Sequence, residues 1–200
     1  MKGGTLEAVH LLKSHKGEIG RWWLVISSIE WLCIWLGATS IQLLTTWIFS
    51  LLTLCCACLD AHYKRLLNPL VMLLFTLGGV RIYIDGSVMT LDSLLGALVC
   101  GGILLVIKVI SPRGMGTGDV KFGAALGMWL APDTALVALY IAFVSGVLYV
   151  LLRWLKDGNE LWIGGGFRKT EIPFGPFLAL GGGIALLFGD RIIRIYLLLF

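Results

Sequence analysis

The chain is built from successive apolar runs, several of which reach the roughly 17 to 25 residues that an α-helix needs to cross a bilayer. Charged residues make up 14% of the sequence, against about a quarter in soluble proteins, so most of the chain is suited to lipid rather than water. A membrane β-barrel would instead show alternating segments of about ten residues. The sequence therefore predicts an all-α, polytopic bundle of transmembrane helices.

Polar segments between the runs give the boundaries. Residues 1 to 21 are predicted as a cytoplasmic or interfacial segment, and residues 22 to 200 as one membrane-embedded domain. We expect about seven spans, within a range of six to eight. They lie at about residues 22–38, 43–59, 69–84, 91–110, 119–131, 134–152 and from 172 onward. Asp190, Arg191 and Arg194 interrupt the last region, which leaves open whether residues 192 to 200 continue its helix.

The distribution of lysine and arginine predicts the orientation. With the N-terminus in the cytoplasm, all but Arg81, Arg191 and Arg194 of the 16 basic residues fall on the cytoplasmic side. The basic residues are scattered in short clusters, so we expect no nucleic-acid partner. Cys55 and Cys58 form a CxxC inside an apolar run without a second pair, and no metal site is expected.

Two aspartates, Asp60 and Asp119, are predicted at the cytoplasmic ends of separate spans. A carboxylate at the edge of the hydrocarbon is costly to ionise, which makes it a candidate site, although a solvated residue at a helix end is the simpler alternative. Two carboxylates brought together there would share a proton. Aspartic hydrolysis requires such a pair, because one partner acts as base and the other as acid.

The second aspartate follows a segment with glycine at alternate positions, GMGTGDVK at residues 114–121. Gly116 and Gly118 remove side chains from the approach to Asp119, and glycine also permits dihedral angles that other residues avoid. A phosphate-binding loop is the competing interpretation. Residues 114–121 lack both the GxxxxGK[ST] spacing of such a loop and a preceding strand, which counts against this interpretation. The glycines within the spans are expected to allow close helix packing.

GMGTGDVK resembles the GxGD-containing signature of type IV prepilin peptidases, which are membrane aspartic endopeptidases. Asp60 with its basic loop, and the segment IPFGPFLALG at residues 172–181, resemble two further motifs of that family. The resemblance implies that Asp60 and Asp119 are catalytic, that Gly116 and Gly118 shape the approach to them, and that the substrate is a prepilin or pseudopilin. Lys121 matches a basic position of the family, and whether it shapes the site or binds substrate stays open. The resemblance also implies a bacterial cytoplasmic membrane location and no cofactor.

Two departures from the family pattern bear on this interpretation. Asn68 precedes Pro69, where family members often have proline first. Many members also carry an N-terminal region with two CxxC pairs that is associated with methylation, and none precedes Asp60 here. We therefore expect peptidase activity without methyltransferase activity.

Several residues keep more than one interpretation. Pro173, Gly175 and Pro176 predict either an irregular helix start beside the aspartate pair or only a helix start. Glu30 is expected to pair within the bundle, and Trp129 to anchor a span end at the membrane interface. The alternative function is a proton-coupled transporter that uses the two aspartates as a relay, although the chain shows no paired inverted repeat. The particular substrate, the oligomeric state and the distance between the aspartates stay open.

Overall fold

The described residues of the computed structural model are 40–64, 66–85, 89–112, 114–157 and 173–199, and their regular structure is helical throughout. The predicted N-terminal segment, the first predicted span and Glu30 lie outside them. The described residues form six helices. These are α1 Ser40–Tyr63, α2 Asn68–Asp85, α3 Met89–Ile110, α4 Thr117–Gly127, α5 Pro132–Asp157 and α6 Gly175–Leu199.

Four of these helices are long and apolar enough to cross a membrane, as the all-α multi-pass prediction requires. The candidate spans are Leu44–Tyr63 in α1, Leu91–Ile110 in α3, Pro132–Leu155 in α5 and Gly175–Leu199 in α6. The apolar part of α2 is shorter, at Asn68–Ile82. The total of about seven spans and the cytoplasmic N-terminus stay predictions. The last helix runs unbroken past Asp190, Arg191 and Arg194 to Leu199, so residues 192 to 199 do continue it.

The predicted fifth span is wrong as a membrane-crossing helix. In place of a span at about residues 119–131, α4 ends at Gly127, and its 11 residues extend only about 16 Å at 1.5 Å per residue. A turn at residues 128–130 then leads into α5. The contacts between the helices show how so short a helix fits into the fold. Helices α1, α2, α3, α5 and α6 make successive contacts that close a ring, and α4 contacts α2, α3, α5 and α6 from inside it.

Glycines bring α4 close to its neighbours. A Cβ at Gly101 would lie 2.8 Å from the Cβ of Ala124, and one at Gly127 would overlap the backbone at Gly96. The predicted close packing through glycine is therefore confirmed at these positions. It is wrong for Gly102 and Gly183, where an added Cβ would meet nothing within 4 Å.

Trp129 corrects another expectation. Instead of anchoring a span end at the membrane interface, this side chain is only 5% exposed. Its Nε1–H donates to the carbonyl of Leu74 at 2.9 Å, and its ring packs against Phe49 with the centroids 5.3 Å apart. The turn after α4 places Trp129 in the core, because the helix ends before it could carry this residue to the bilayer surface.

Candidate active site

Asp60 lies in the last turn of α1. The sequence places it after the span, but α1 continues to Tyr63, so Asp60 belongs to the helix and is only 6% exposed. Lys64 ends the helix in the left-handed region, with φ of 50°, and its N–H donates to the Asp60 carbonyl at 2.9 Å. This is the arrangement of a helix C-cap, usually filled by glycine.

The Asp60 carboxylate meets the start of α6. Its Oδ2 accepts a hydrogen bond from the backbone N–H of Gly175 at 2.8 Å, across 115 positions of sequence. The first N–H groups of a helix have no partner within the helix, and the helix dipole favours negative charge there. Asp60 therefore satisfies a donor that the start of α6 would otherwise leave unpaired.

Gly175 also needs to be glycine at this contact. A Cβ at this position would lie 2.7 Å from Oδ2 of Asp60 and 2.9 Å from its Cβ. Pro173 and Phe174 precede the helix, and Pro176 lies in its first turn, where the missing N–H of proline costs nothing. Of the two interpretations of this segment, the structure shows the helix start lying against Asp60.

Asp119 lies in the first turn of α4 and is half-buried. Its Oδ2 accepts the backbone N–H of Gly116 at 3.1 Å, where Gly116 is the N-cap of the helix. Because glycine has no side chain, only this half of a capping box forms. Both aspartates thus accept an N–H at a helix start, Asp119 from its own helix and Asp60 from another.

The glycines beside Asp119 leave room for neighbouring side chains and do not adopt unusual dihedral angles. Gly116 has φ of −73° and ψ of 153°, an extended conformation open to any residue, so the dihedral part of the expectation is wrong. A Cβ at Gly116 would lie 3.2 Å from Oδ2 of Asp119, and one at Gly118 would lie 3.1 Å from the Cβ of Leu66. The side chains of Asp119 and Leu66 therefore occupy the space that a side chain at Gly116 or Gly118 would need.

The two carboxylates interact electrostatically. Asp119 lies outside the four candidate spans, and burial raises its pKa to about 6, with the charge of Asp60 acting in the same direction. The hydrogen bond from Gly116 and the charge of Lys108 act in the opposite direction on this pKa. Lys108, in the last turn of α3, is a site residue that the sequence interpretation did not single out. The only sequence feature that points to Lys108 is its place among the basic residues predicted on the cytoplasmic side.

Lys121 and Asn68 connect two of the elements around the site. The Nζ of Lys121 donates to Oδ1 of Asn68 at 3.2 Å, which joins the first half of α4 to the first residue of α2. Both residues are exposed. Lys121 therefore hydrogen-bonds to the start of α2 rather than to either carboxylate.

One oxygen of each carboxylate accepts a backbone hydrogen bond. Within the described part of the chain, Oδ1 of Asp60 and Oδ1 of Asp119 make no hydrogen bond. A pair with its carboxylates oriented by helix-start N–H groups can bind a water and share one proton. The fold and this site define a multi-pass helical membrane protein with a paired-aspartate centre at one end of its bundle.

Comparison with known proteins identifies the family. The model of the type IV leader peptidase family matches residues 47–151, more than half of the chain and a range that contains both aspartates. The chain belongs to the type IV leader peptidase family.

Curated relatives agree with this assignment. The chain is similar to a Pseudomonas aeruginosa protein named prepilin leader peptidase/N-methyltransferase, with 34% identity over 165 residues, which is 78% of this chain and 52% of the relative. A protein of the same name from Aeromonas salmonicida is 35% identical over 169 residues, covering 80% and 53%. The chain thus spans about half the length of these relatives. No solved structure matches it.

Proposed function

We propose that this protein is a membrane aspartic endopeptidase that removes the N-terminal leader of type IV prepilins or pseudopilins. The observation that carries the proposal is the pair of Asp60 and Asp119, held by helix-start N–H groups at one end of the bundle and coupled through their charges. Family membership and the names of the relatives support a prepilin substrate.

In the proposed reaction the pair holds one proton and a water. The ionised partner takes a proton from the water as the water oxygen attacks the scissile carbonyl carbon, and the protonated partner donates its proton to the carbonyl oxygen. Collapse of the tetrahedral intermediate then breaks the C–N bond; the leaving amine takes a proton from the pair, and a hydroxyl of the intermediate returns one, so the pair again holds one proton. The hydrogen bonds from Gly175 and Gly116 hold one oxygen of each carboxylate, which restricts the orientation of both groups before the substrate binds.

The reaction is proposed at the cytoplasmic face of the bacterial inner membrane. Described cations at the aspartate end of the bundle are Lys64, Lys108, Lys121 and Arg153, whereas Arg81, Arg191 and Arg194 lie toward the other end. Cytoplasmic loops carry an excess of lysine and arginine. A leader would approach from the cytoplasm while the hydrophobic segment that follows it stays in the bilayer.

A proton relay is less well supported. A relay needs titratable groups distributed across the membrane, typically facing a central cavity. Among the described residues, Asp190 in Gly175–Leu199 is the one Asp, Glu or His far from an end of a candidate span, and a single group does not form a relay across the membrane. The two aspartates lie together at one end instead.

Cleavage of a synthetic prepilin-type peptide tests the proposal. The purified chain in detergent is compared with Asp60→Asn and Asp119→Asn, which keep the size of each side chain. Asp133→Asn is the matched control, because Asp133 is an exposed acid at the start of α5, at the other end of the bundle.

We expect both site variants to lose at least about a thousandfold in kcat/KM, since they remove a catalytic group, and the control to retain the wild-type rate. Circular dichroism and the unfolding midpoint show that each variant is folded. Wild-type cleavage by either folded site variant rules the proposal out.

A further inference from the structure

An aromatic cluster joins α5 to the start of α6. Phe143 and Tyr149 lie on α5, Phe174 directly precedes α6, and Phe177 lies in the first turn of α6. The ring centroids are 5.3 Å apart for Phe143 and Phe174, 6.4 Å for Phe174 and Phe177, and 5.5 Å for Phe177 and Tyr149. Aromatic pairs attract each other at separations of about 4.5 to 7 Å. The four rings therefore form a continuous contact between the two helices.

Phe174 is the member of this cluster next to Asp60. Its carbonyl accepts the N–H groups of Phe177 and Leu178, both at 3.1 Å, and so begins the hydrogen bonding of α6. The same peptide unit carries the N–H of Gly175, which donates to Oδ2 of Asp60 at 2.8 Å. A peptide unit is planar, with its C=O and N–H pointing in opposite directions. A rotation of this unit would therefore weaken the bonds on both of its sides, and the position of Phe174 decides where the Gly175 N–H points.

The ring of Phe174 anchors this peptide unit to α5. Gly175 has no side chain through which it could anchor the unit itself, whereas the half-buried Phe174 ring packs against Phe143. Gly146, one turn beyond Phe143, lets the ring approach closely, since a Cβ there would lie 3.8 Å from the rings of Phe174 and Phe177. Phe143 and Gly146 together form the surface of α5 on which the Phe174 ring packs.

From these contacts we propose that Phe143 is a positioning residue, whose ring holds Phe174 and thereby directs the Gly175 N–H to Asp60. The inference rests on the proposed peptidase reaction, which needs an oriented Asp60 carboxylate. Phe143 acts through Gly175 and does not need to contact the substrate. A side chain that only filled space between α5 and α6 would change the stability of the protein but not the direction of this N–H.

The Gly175 amide can be observed by NMR without any cleavage reaction. In protein labelled with ¹³C-carbonyl phenylalanine and ¹⁵N-glycine, only Phe–Gly peptide units give a correlated signal, and the sequence contains three, which end at Gly123, Gly175 and Gly189. The signal that Gly175→Ala removes belongs to Gly175. We expect Phe143→Ala to move this amide proton upfield, because its hydrogen bond to the carboxylate lengthens. Val144→Ala, which truncates the next residue on α5, exposed outside the cluster, should leave the signal in place.

Cleavage of a prepilin-type peptide measures the consequence for the reaction. We expect Phe143→Ala to lower kcat roughly tenfold with KM little changed, since small displacements of reacting groups are costly and the contact of Phe174 with Phe177 remains. Phe143→Tyr, which keeps the ring, should restore most of the rate, and Val144→Ala should cleave like the wild type. If Phe143 acts through Gly175, adding Phe143→Ala to Gly175→Ala should cause little further loss.

Two results would overturn the positioning role. One is an unmoved Gly175 signal in folded Phe143→Ala and in Phe143→Leu, which keeps most of the side-chain volume in case the alanine variant does not fold. The other is a double variant in which the two losses multiply, since Phe143 would then act independently of Gly175. A raised KM with unchanged kcat would also contradict it, because Phe143 would then contact the substrate. The NMR signal does not depend on cleavage, so failure of the peptidase proposal and failure of this inference are distinguishable.

Discussion

Replacing Gly175 by alanine tests how closely α6 controls Asp60. The new Cβ would lie 2.7, 2.9 and 3.0 Å from Oδ2, Cβ and Cγ of Asp60, and the contact is with a buried, backbone-anchored side chain that has little room to move. Overpacking of this kind costs about 1 to 3 kcal/mol, and losing a hydrogen bond to a charged group costs about 1.5 to 3 kcal/mol. The two costs share one displacement, so we take about 3 kcal/mol. If Asp60 is displaced in the folded protein, a loss of the same size in transition-state stabilisation lowers kcat/KM roughly a hundredfold.

The assay is peptide cleavage by purified protein, together with the thermal unfolding midpoint of each variant. Gly183→Ala is the matched control, because Gly183 lies on the same helix and an added Cβ there meets nothing within 4 Å. Alanine is favoured over glycine inside a helix by up to about 1 kcal/mol, so the control should unfold at the same or a higher temperature and cleave normally.

The reasoning is refuted if Gly175→Ala cleaves at the rate of Gly183→Ala. It is also refuted if Gly175→Ala loses activity only in proportion to unfolded protein, since the loss would then come from the fold rather than from the position of Asp60. A folded protein with a reduced kcat/KM is the expected result.

Four further predictions concern the same end of the bundle. The pKa of Asp119, raised to about 6, predicts that kcat/KM of the free enzyme falls as the pH rises through about 6, because the pair then loses its shared proton; a pH profile without this limb contradicts it. Lys108 lowers that pKa, so Lys108→Met should move the limb to higher pH, and a limb that stays in place or moves down would exclude this role. Lys64→Gly should raise the free energy of unfolding by about 1 kcal/mol, because glycine adopts φ of 50° without strain, and chemical denaturation would show an unchanged or lower value if this is wrong. Lys121→Met should reduce kcat by only a few-fold, since its hydrogen bond to Asn68 is exposed, and a loss as large as that of an aspartate variant would assign Lys121 a direct part in the reaction.

The sequence predicts the long helices well, because a bilayer imposes a length and a polarity that can be counted in residues. The predicted spans at residues 43–59, 91–110 and 134–152 each fall inside an observed helix. The sequence predicts less well the features that depend on tertiary packing. α4 ends at Gly127, where a turn replaces the rest of the predicted span, and the same turn places Trp129 in the core. Neither follows from hydropathy.

The two acids and some of the segments beside them could be singled out from the sequence, but the contacts between them could not. Asp60 and Asp119 stand out because both are predicted at the cytoplasmic ends of spans and because the segments around them resemble motifs of one peptidase family. The hydrogen bond from Gly175 joins residues 115 positions apart, and no local pattern encodes it. The effect of Lys108 on Asp119 depends likewise on how α3 packs against α4. Such contacts arise only when the helices assemble.

The most direct test of the paired-aspartate account is a double-variant comparison of cleavage rates. If Asp60 and Asp119 act as one unit that shares a proton, then Asp60→Asn, Asp119→Asn and the double variant should all retain the same low residual kcat/KM, because removing either partner already removes the unit. Losses that add up in the double variant would show that the two aspartates act independently. A single variant that retains wild-type cleavage would contradict the account outright.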